Sequence, residues 1–258
     1  PMALAGRKIP SVLFVPDIEP GLALKMIARF AHRIAIIADE SKKYFSLQKR
    51  LVCTGYPTRA SLAGWSQNEA RQKFNLTKQQ PVILVIGGSK GARSLNKAVL
   101  AHLPELMEMA QLIHISGDLD WPEVQAKATE IHHPHYHAYP YLHEEMGAAF
   151  AASDVVLSRA GASTLGEYPL FGLPAVLVPY PYAWRYQKVN ADYLVQRNAA
   201  VLIEDSQLEE NLIPVLKNLL SESTRLASMR HAVKALAQPQ AAKSISNLLF
   251  EMAQRGAR

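Results

Sequence analysis

The chain has 258 residues, 49% of them apolar, and a formal net charge of +6. This length allows one large domain or two smaller ones with a sizeable buried core. A single cysteine, Cys53, excludes a disulfide framework and favours a reducing compartment. The basic residues are scattered and accompany no RNA-binding motif, which argues against nucleic acid as a partner. The positive charge suits an anionic ligand or membrane surface, or a solvated surface with no partner.

Short apolar segments alternate with amphipathic segments along the whole chain. Strands are predicted at residues 9–16, 33–38, 51–56, 81–86, 112–116, 136–141, 154–158, 175–178 and 200–203. Helices are predicted at residues 21–32, 92–103, 123–131, 144–152, 162–171 and 185–196. This alternation predicts an α/β fold of parallel sheets with helices on both faces. No apolar run reaches the roughly 18 residues of a membrane span.

Two changes of character divide the chain. Turn-forming and polar sequence at residues 57–66 indicates a junction between two domains. Residues 207–254 are helical in pattern, and Pro239 interrupts them. The last helix, at residues 240–253, is therefore free to pack away from the second domain.

Glycine-rich sequence follows the strand predicted at residues 81–86. Gly87, Gly88 and Gly91 surround Ser89 directly before a predicted helix. Glycine permits tight turns and close approach of a ligand, and the N–H groups at a helix start attract phosphate. The context favours a phosphate-binding loop and a simple connecting turn about equally.

A second loop, at residues 158–167, also leaves a predicted strand and enters a helix. The N–H groups of Ala162, Ser163 and Thr164 are expected to face outward at the helix start, where they suit a diphosphate. Glu167 lies about one turn further along, where a carboxylate can accept hydrogen bonds from vicinal hydroxyls such as those of ribose. The alternative is a glutamate that only complements the helix dipole. Two such loops at strand ends of one sheet are more specific than either alone.

The third loop, at residues 179–191, follows another strand and should lie at the same edge of the sheet. It is rich in aromatic residues, and Gln187 and Asn190 lie three apart on one predicted helix face. Amide groups and aromatic rings recognise sugar hydroxyls. The alternative is a loop whose aromatic side chains only pack.

Five histidines lie close together in the sequence, at positions 132, 133, 135, 137 and 143. Pro134 interrupts any strand that would align three of them, and no cysteine joins them, so we predict no metal site and no cofactor. Cys53, in a short apolar strand, is expected in the core.

The chain resembles the MurG family in three runs of sequence, GGSKGARSLN, LVCTGYPTR and SDVVLSRAGASTLGEYPLFGLPAVLVPYPYAWRYQKVNADYL. Members of this family, in glycosyltransferase family 28, transfer N-acetylglucosamine (GlcNAc) to the lipid-linked muramoyl-pentapeptide precursor of peptidoglycan. The resemblance covers residues 6–253 and implies the GT-B fold, two facing Rossmann-like domains, and catalysis without a metal ion. It implies that residues 1–58 belong to an incomplete acceptor-side domain, that residues 59–238 form the donor-nucleotide domain, and that residues 239–258 form a helix packing back toward the first.

The resemblance assigns donor-binding roles to ten residues. They are Arg59 near the nucleotide in the interdomain cleft, Gly88 and Ser89 in the first donor loop, Leu142 (or His143) with its backbone at the uracil edge, Ala162, Ser163 and Thr164 beside the diphosphate, Glu167 on the ribose, Gln187 on the donor sugar, and Asn190 behind it.

Three departures from the family pattern affect the prediction. The family's glycine-rich loop, with its proposed catalytic histidine, would precede Pro1, so we expect this chain to bind UDP but to transfer sugar slowly. The family's His-Glu-Gln-Asn segment is replaced by residues 14–17 before the Pro20-Gly21 turn, which leaves Asp17 as the remaining candidate base and the acceptor open. An acidic–His pair is replaced by Arg185-Tyr186, which leaves the exact donor sugar open.

The resemblance therefore implies an inverting hexosyltransferase. It would move GlcNAc from UDP-GlcNAc to a polyprenyl-diphosphate-linked muramoyl-peptide, in the cytoplasm and peripherally on the inner face of the plasma membrane. Two alternatives remain open. One is a related UDP-sugar transferase with another lipid or natural-product acceptor, and the other is a UDP-sugar-binding protein without turnover.

Overall fold

Parallel sheets form the frame of the computed structural model, which describes residues 9–88, 91–183 and 185–256. In these residues the smaller sheet has the order β1-β2-β3, with strands β1 (Val12–Val15), β2 (Arg33–Ile36) and β3 (Leu51–Cys53). The larger sheet has the order β6-β5-β4-β7-β8-β9, with strands β4 (Val82–Ile86), β5 (Gln111–Ile115), β6 (Tyr136–Tyr139), β7 (Val155–Ser158), β8 (Ala175–Leu177) and β9 (Ala200–Leu202).

Helices follow nearly every strand, as a parallel sheet requires. They are α1 (Leu22–Ala28), α2 (Gln67–Lys73), α3 (Arg93–Ala101), α4 (Leu103–Met109), α5 (Trp121–Ile131), α6 (Met146–Ala152), α7 (Thr164–Phe171), α8 (Tyr186–Val195), α9 (Leu208–Ser221), α10 (Ser223–Lys234) and α11 (Ala241–Gly256). Short 3₁₀ turns lie at Asp39–Tyr44, Gln48–Arg50, Ala60–Leu62 and Asp205–Gln207. The predicted α/β class with parallel sheets is confirmed.

Two local features differ from the prediction. The helix predicted at residues 92–103 forms over Arg93–Ala101, but α4, which was not predicted, follows it with Pro104 in its first turn, where the missing N–H of proline costs no hydrogen bond. Cys53 is exposed rather than buried, because it ends β3 at the edge of the smaller sheet.

The strand order of the larger sheet positions the functional site. β4 and β7 lie side by side, and the chain continues from β4 toward one edge of the sheet and from β7 toward the other. The central strands are buried on both faces, which explains why they are continuous apolar runs in the sequence. Ligands of such sheets bind outside the carboxyl ends of the strands where the order reverses. The three predicted loops follow β4, β7 and β8, so they share one edge, as expected.

The chain passes between the two sheets at residues 54–59 and again at residues 235–240, and the two passages touch. Gly55 has a φ of +81°, and a Cβ atom there would lie 2.4 Å from Oε1 of Gln238. Only glycine therefore fits at this crossing. After the second passage, α11 contacts β1 of the smaller sheet. The domain boundaries after residues 58 and 238 stay a prediction.

The first testable prediction concerns the glycine-rich loop after β4. Gly91 has a φ of +77°, and a Cβ atom there would lie 2.3 Å from the carbonyl oxygen of Ser116. Gly88 has a φ of +89°, but its Cβ would meet no atom of the described residues within 4 Å. We expect Gly91→Ala to lower the free energy of unfolding by about 2–4 kcal/mol, since backbone strain adds to the clash, and Gly88→Ala by about 1–2 kcal/mol. Urea unfolding measures both, and equal losses would contradict the close approach.

Candidate functional site

A cleft of about 940 Å³ lies at the switch point of the larger sheet, where the loops after β4 and β7 meet. Its volume is in the range of small-molecule sites. Five of the predicted donor-binding residues line it, namely Gly88, Ser163, Thr164, Glu167 and Gln187. The structure thus brings together residues from all three predicted loops.

The start of α7 forms one wall of the cleft. Thr164 is buried, and its N–H and hydroxyl both donate to the carbonyl oxygen of Gly161, at 3.1 and 2.7 Å. Among the described residues, the N–H groups of Ala162 and Ser163 have no acceptor. An anion in the cleft would therefore find a free donor at Ser163, whereas the N–H of Thr164 is engaged within the loop and Ala162 is not among the residues that line the cleft.

Glu167 lies one turn into α7 and faces the cleft. Burial raises the pKa of its carboxyl. Two effects offset part of that rise, namely a hydrogen bond donated by the Ser163 hydroxyl and the positive charge of Arg59. Arg59 is exposed at the start of the Ala60–Leu62 turn, close enough to act on Glu167 electrostatically. A half-buried carboxylate at this position can accept hydrogen bonds from ligand hydroxyls.

The sequence interpretation missed Arg159, which joins the loops around the cleft. Its guanidinium donates to Asp205 at 2.5 Å, to the Ser94 hydroxyl at 2.6 Å and to the carbonyl oxygen of Val178 at 3.1 Å. The Ser94 hydroxyl donates in turn to Asp205 at 2.7 Å. Arg159 follows β7, Asp205 follows β9, Ser94 follows β4 and Val178 follows β8. The sequence did contain one indication of this contact, since Arg159 and Asp205 are charged residues just beyond the ends of strands that share one edge of the sheet.

Three predicted residues relate to the cleft in other ways. Ser89 lies outside the described residues. The Leu142 side chain is buried in the core, so a ligand contact at this position would involve its backbone. Gln187 lines the cleft, and its Oε1 accepts a hydrogen bond of 2.8 Å from the N–H of Tyr180. Their roles in donor binding stay predictions.

Asn190 lies at the junction between the two sheets rather than in the cleft, and it is fully buried. Its Nδ2 donates to Asp17 at 2.8 Å and to the carbonyl oxygen of Ala160 at 3.2 Å, while its Oδ1 accepts from the N–H of Ile18 at 3.1 Å. The amide thus bonds to protein groups on both sides. It joins the loop after β1 to the loop after β7.

Asp17, the candidate base, is partly buried in the loop after β1. Burial raises the pKa of its carboxyl, and the hydrogen bond from Asn190 offsets only part of the rise. The ring of Tyr56 packs on Gly166 in α7. Burial raises the pKa of Tyr56, and the charges of Glu167 and Asp17 raise it further. Asp17, Tyr56 and Glu167 therefore lie close to one another at the junction of the two sheets.

In the described part of the chain, no group of three or more histidine, cysteine, aspartate or glutamate side chains is placed to hold a metal ion. The rings of His133 and His135 pack edge to face, with centroids 5.0 Å apart. Within the same residues, every helix is too short or too polar to cross a membrane.

The two parallel sheets and the cleft at the switch point define a class of protein, an α/β protein of the GT-B type. Residues 82–245 match the glycosyltransferase family 28 C-terminal domain, which covers more than half of the chain. The chain belongs to this family of hexosyltransferases, and the resemblance to MurG is confirmed.

Two curated relatives are both named UDP-N-acetylglucosamine–N-acetylmuramyl-(pentapeptide) pyrophosphoryl-undecaprenol N-acetylglucosamine transferase. The relative from Roseiflexus sp. (strain RS-1) is 36% identical over 96% of this chain and 66% of its own length. The relative from Desulforudis audaxviator is 34% identical over 100% of this chain and 71% of its own length. The chain thus spans about two thirds of the length of these relatives.

Solved structures agree on the fold. MurG from Acinetobacter baumannii aligns with a TM-score of 0.75 and 23% identity, over 97% of this chain and 69% of that chain. The complex of MnaA from S. aureus with UDP aligns with a TM-score of 0.70 and 14% identity, over 96% of this chain and 70% of that chain. The predicted GT-B fold class is confirmed.

The second prediction follows from the raised pKa of Glu167. The folded state binds a proton at Glu167 more tightly than the unfolded chain does, where the pKa of the carboxyl has its ordinary value of 4.5. Stability present below that value is therefore lost as the pH rises through the folded pKa. We expect Glu167→Gln to be more stable than the unmodified chain at neutral pH, and the difference to vanish below about pH 4. Thermal unfolding between pH 4 and 8 tests this, and a difference that persists in acid would contradict it.

Proposed function

We propose that the cleft binds the UDP moiety of UDP-GlcNAc and that the chain is the donor-binding part of an inverting GlcNAc transferase. The acceptor we propose is a polyprenyl-diphosphate-linked muramoyl-peptide, because the names of the relatives include a substrate of this kind. One observation carries the proposal. Within a family 28 domain, Gly88, Ser163 with its free amide, and Glu167 line one cleft.

Transfer with inversion has two chemical requirements. The departing UDP must be stabilised, and the start of α7 offers free N–H groups and the positive end of a helix dipole. The attacking hydroxyl of the acceptor must lose a proton to a base. Asp17 is the carboxylate we propose for this step, because it lies at the junction on the acceptor side and its pKa is raised.

The third prediction tests the nucleotide site. In the proposed complex Glu167 accepts hydrogen bonds from the ribose hydroxyls, so Glu167→Ala removes a charged acceptor. We expect UDP affinity to fall about ten- to hundredfold, which corresponds to about 1.5–3 kcal/mol. Titration calorimetry measures it, with Glu204→Ala as a control outside the cleft. Unchanged UDP affinity in Glu167→Ala would reject the assignment.

The fourth prediction tests the base. A positioned general base contributes about 10²–10⁴-fold, so Asp17→Asn should reduce the turnover number of transfer by that range and leave UDP affinity within about twofold. The exposed Asp39→Asn is the matched control. A turnover number within tenfold of the unmodified chain would exclude Asp17.

The same transfer assay tests the acceptor. Transfer to other lipid or natural-product acceptors, with none to the muramoyl-peptide, would favour the alternative acceptor.

We further propose that α1 contributes to peripheral contact with an anionic membrane. Leu22 and Met26 are 62% and 63% exposed, one turn apart on the helix, and Arg29 continues the same face. Apolar side chains beside a basic residue are typical of helices that bind the interface of anionic lipids. The inner face of the plasma membrane, where a lipid-linked precursor is available, is the surface we propose.

The fifth prediction tests this surface with vesicles of phosphatidylglycerol and phosphatidylcholine. Leu22→Ser with Met26→Ser removes the apolar contact, so we expect binding to weaken by about tenfold or more. Leu249→Ser with Phe250→Ser, a pair of comparable exposure on α11, is the control and should bind as the unmodified chain does. Equal losses in both pairs, or no loss in the α1 pair, would contradict the assignment.

A further inference from the structure

The segment around α8 makes polar contacts with the smaller sheet at three places along its length. Arg185, directly before the helix, pairs with Glu19 in the loop after β1. Asn190, in the middle, bonds to Asp17 and to the backbone of Ile18. Arg197, just beyond the end of the helix, pairs with Glu40 after β2. The helix is therefore held against the acceptor-side unit at its start, centre and end.

The first of these contacts is built around a buried carboxylate. Glu19 is only 3% exposed, whereas the side chain of Arg185 is 58% exposed. Nε of Arg185 donates to Oε2 of Glu19 at 2.7 Å, Nη2 donates to Oε1, and Nζ of Lys25 donates to Oε1 at 3.2 Å. A two-pronged arginine–carboxylate pair fixes orientation as well as distance. Glu19 thus determines where Arg185 lies.

The same loop also packs against the first residue of α8. A Cβ atom on Gly21 would lie 3.3 Å from the hydroxyl oxygen of Tyr186. Residues 19 and 21, which directly follow one segment that departs from the family pattern (residues 14–17), are therefore in contact with the other, Arg185-Tyr186. The contact fixes the first turn of α8 from outside the donor domain.

Gln187 belongs to that first turn. Its Oε1 accepts a hydrogen bond from the N–H of Tyr180, so the two donors on its Nε2 remain for a ligand in the cleft that it lines with Gly88 and Glu167. A shift of the helix start by a few tenths of an ångström would move these donors relative to a bound sugar, because hydrogen bonds weaken steeply with distance and angle.

We propose that Glu19 is a positioning residue for the donor sugar, acting through Arg185 on the first turn of α8 and so on Gln187. The inference rests on the proposed function, in which UDP-GlcNAc occupies the cleft. It assigns part of the sugar recognition to a residue of the acceptor-side unit. Removal of Glu19 should weaken binding of the sugar and leave binding of the nucleotide unchanged.

Calorimetry with UDP and with UDP-GlcNAc separates these two contributions. For Glu19→Gln and for Arg185→Gln we expect UDP affinity within about twofold of the unmodified chain and UDP-GlcNAc affinity lower by about three- to tenfold. The double variant should lose no more than either single variant, because both act through one contact. In a Gln187→Ala background, Glu19→Gln should have no further effect. Arg197→Gln, which breaks an ion pair at the far end of the same segment, should leave both affinities unchanged.

Each other outcome counts against the inference. Equal loss of UDP and UDP-GlcNAc affinity would indicate a general structural role for Glu19, as would an equal loss in Arg197→Gln. Unchanged UDP-GlcNAc affinity in Arg185→Gln would overturn it. If the unmodified chain bound neither ligand, the proposed function would fail and this inference with it.

Discussion

The carboxyl edge of the six-stranded sheet depends on the guanidinium of Arg159. Polar loops follow every strand at this edge, and each has backbone and side-chain groups that need partners away from water. Arg159, only 10% exposed, satisfies groups on three of these loops at once and balances its own charge with Asp205. Its guanidinium also lies 5.2 Å from the ring centroid of Tyr180. Because these contacts share one rigid, planar group, the loops are fixed relative to one another, and the cleft between them has a defined shape.

The larger sheet could be predicted from the sequence because its information is local. A parallel strand buried on both faces must be a continuous apolar run, and residues 82–86 and 155–157 have that character. The glycines after β4 and the Ser-Arg-Ala-Gly sequence after β7 indicated turns into helices, and the shared edge followed from the parallel arrangement. The start of α4 was also encoded locally, in Pro104, which favours the first turn of a helix, but the sequence interpretation used residue 103 only as the end of the preceding helix.

Contacts between distant segments could not be predicted in this way. Asn190 and Gln187 lie three residues apart, and the sequence interpretation assigned both to the ligand. In the structure Gln187 lines the cleft, whereas Asn190 is buried against Asp17, 173 residues away in the sequence. The pairing of Glu19 with Arg185 spans 166 residues and has no periodic pattern that would reveal it. Arg159 was visible as a charged residue at a strand end, but its partners depend on the order of strands, which the sequence does not specify directly.

The contact of Gly55 with Gln238 has a mechanical consequence. The two covalent passages between the units of the chain meet at one place, where no side chain fits at position 55. Because the two connections touch, they define the position of a hinge between the units. At this place the units cannot slide past each other or separate, whereas rotation about it changes only a few backbone torsions. Such rotation would change the distances across the polar contacts that join the two units, among them the ion pair of Glu19 with Arg185.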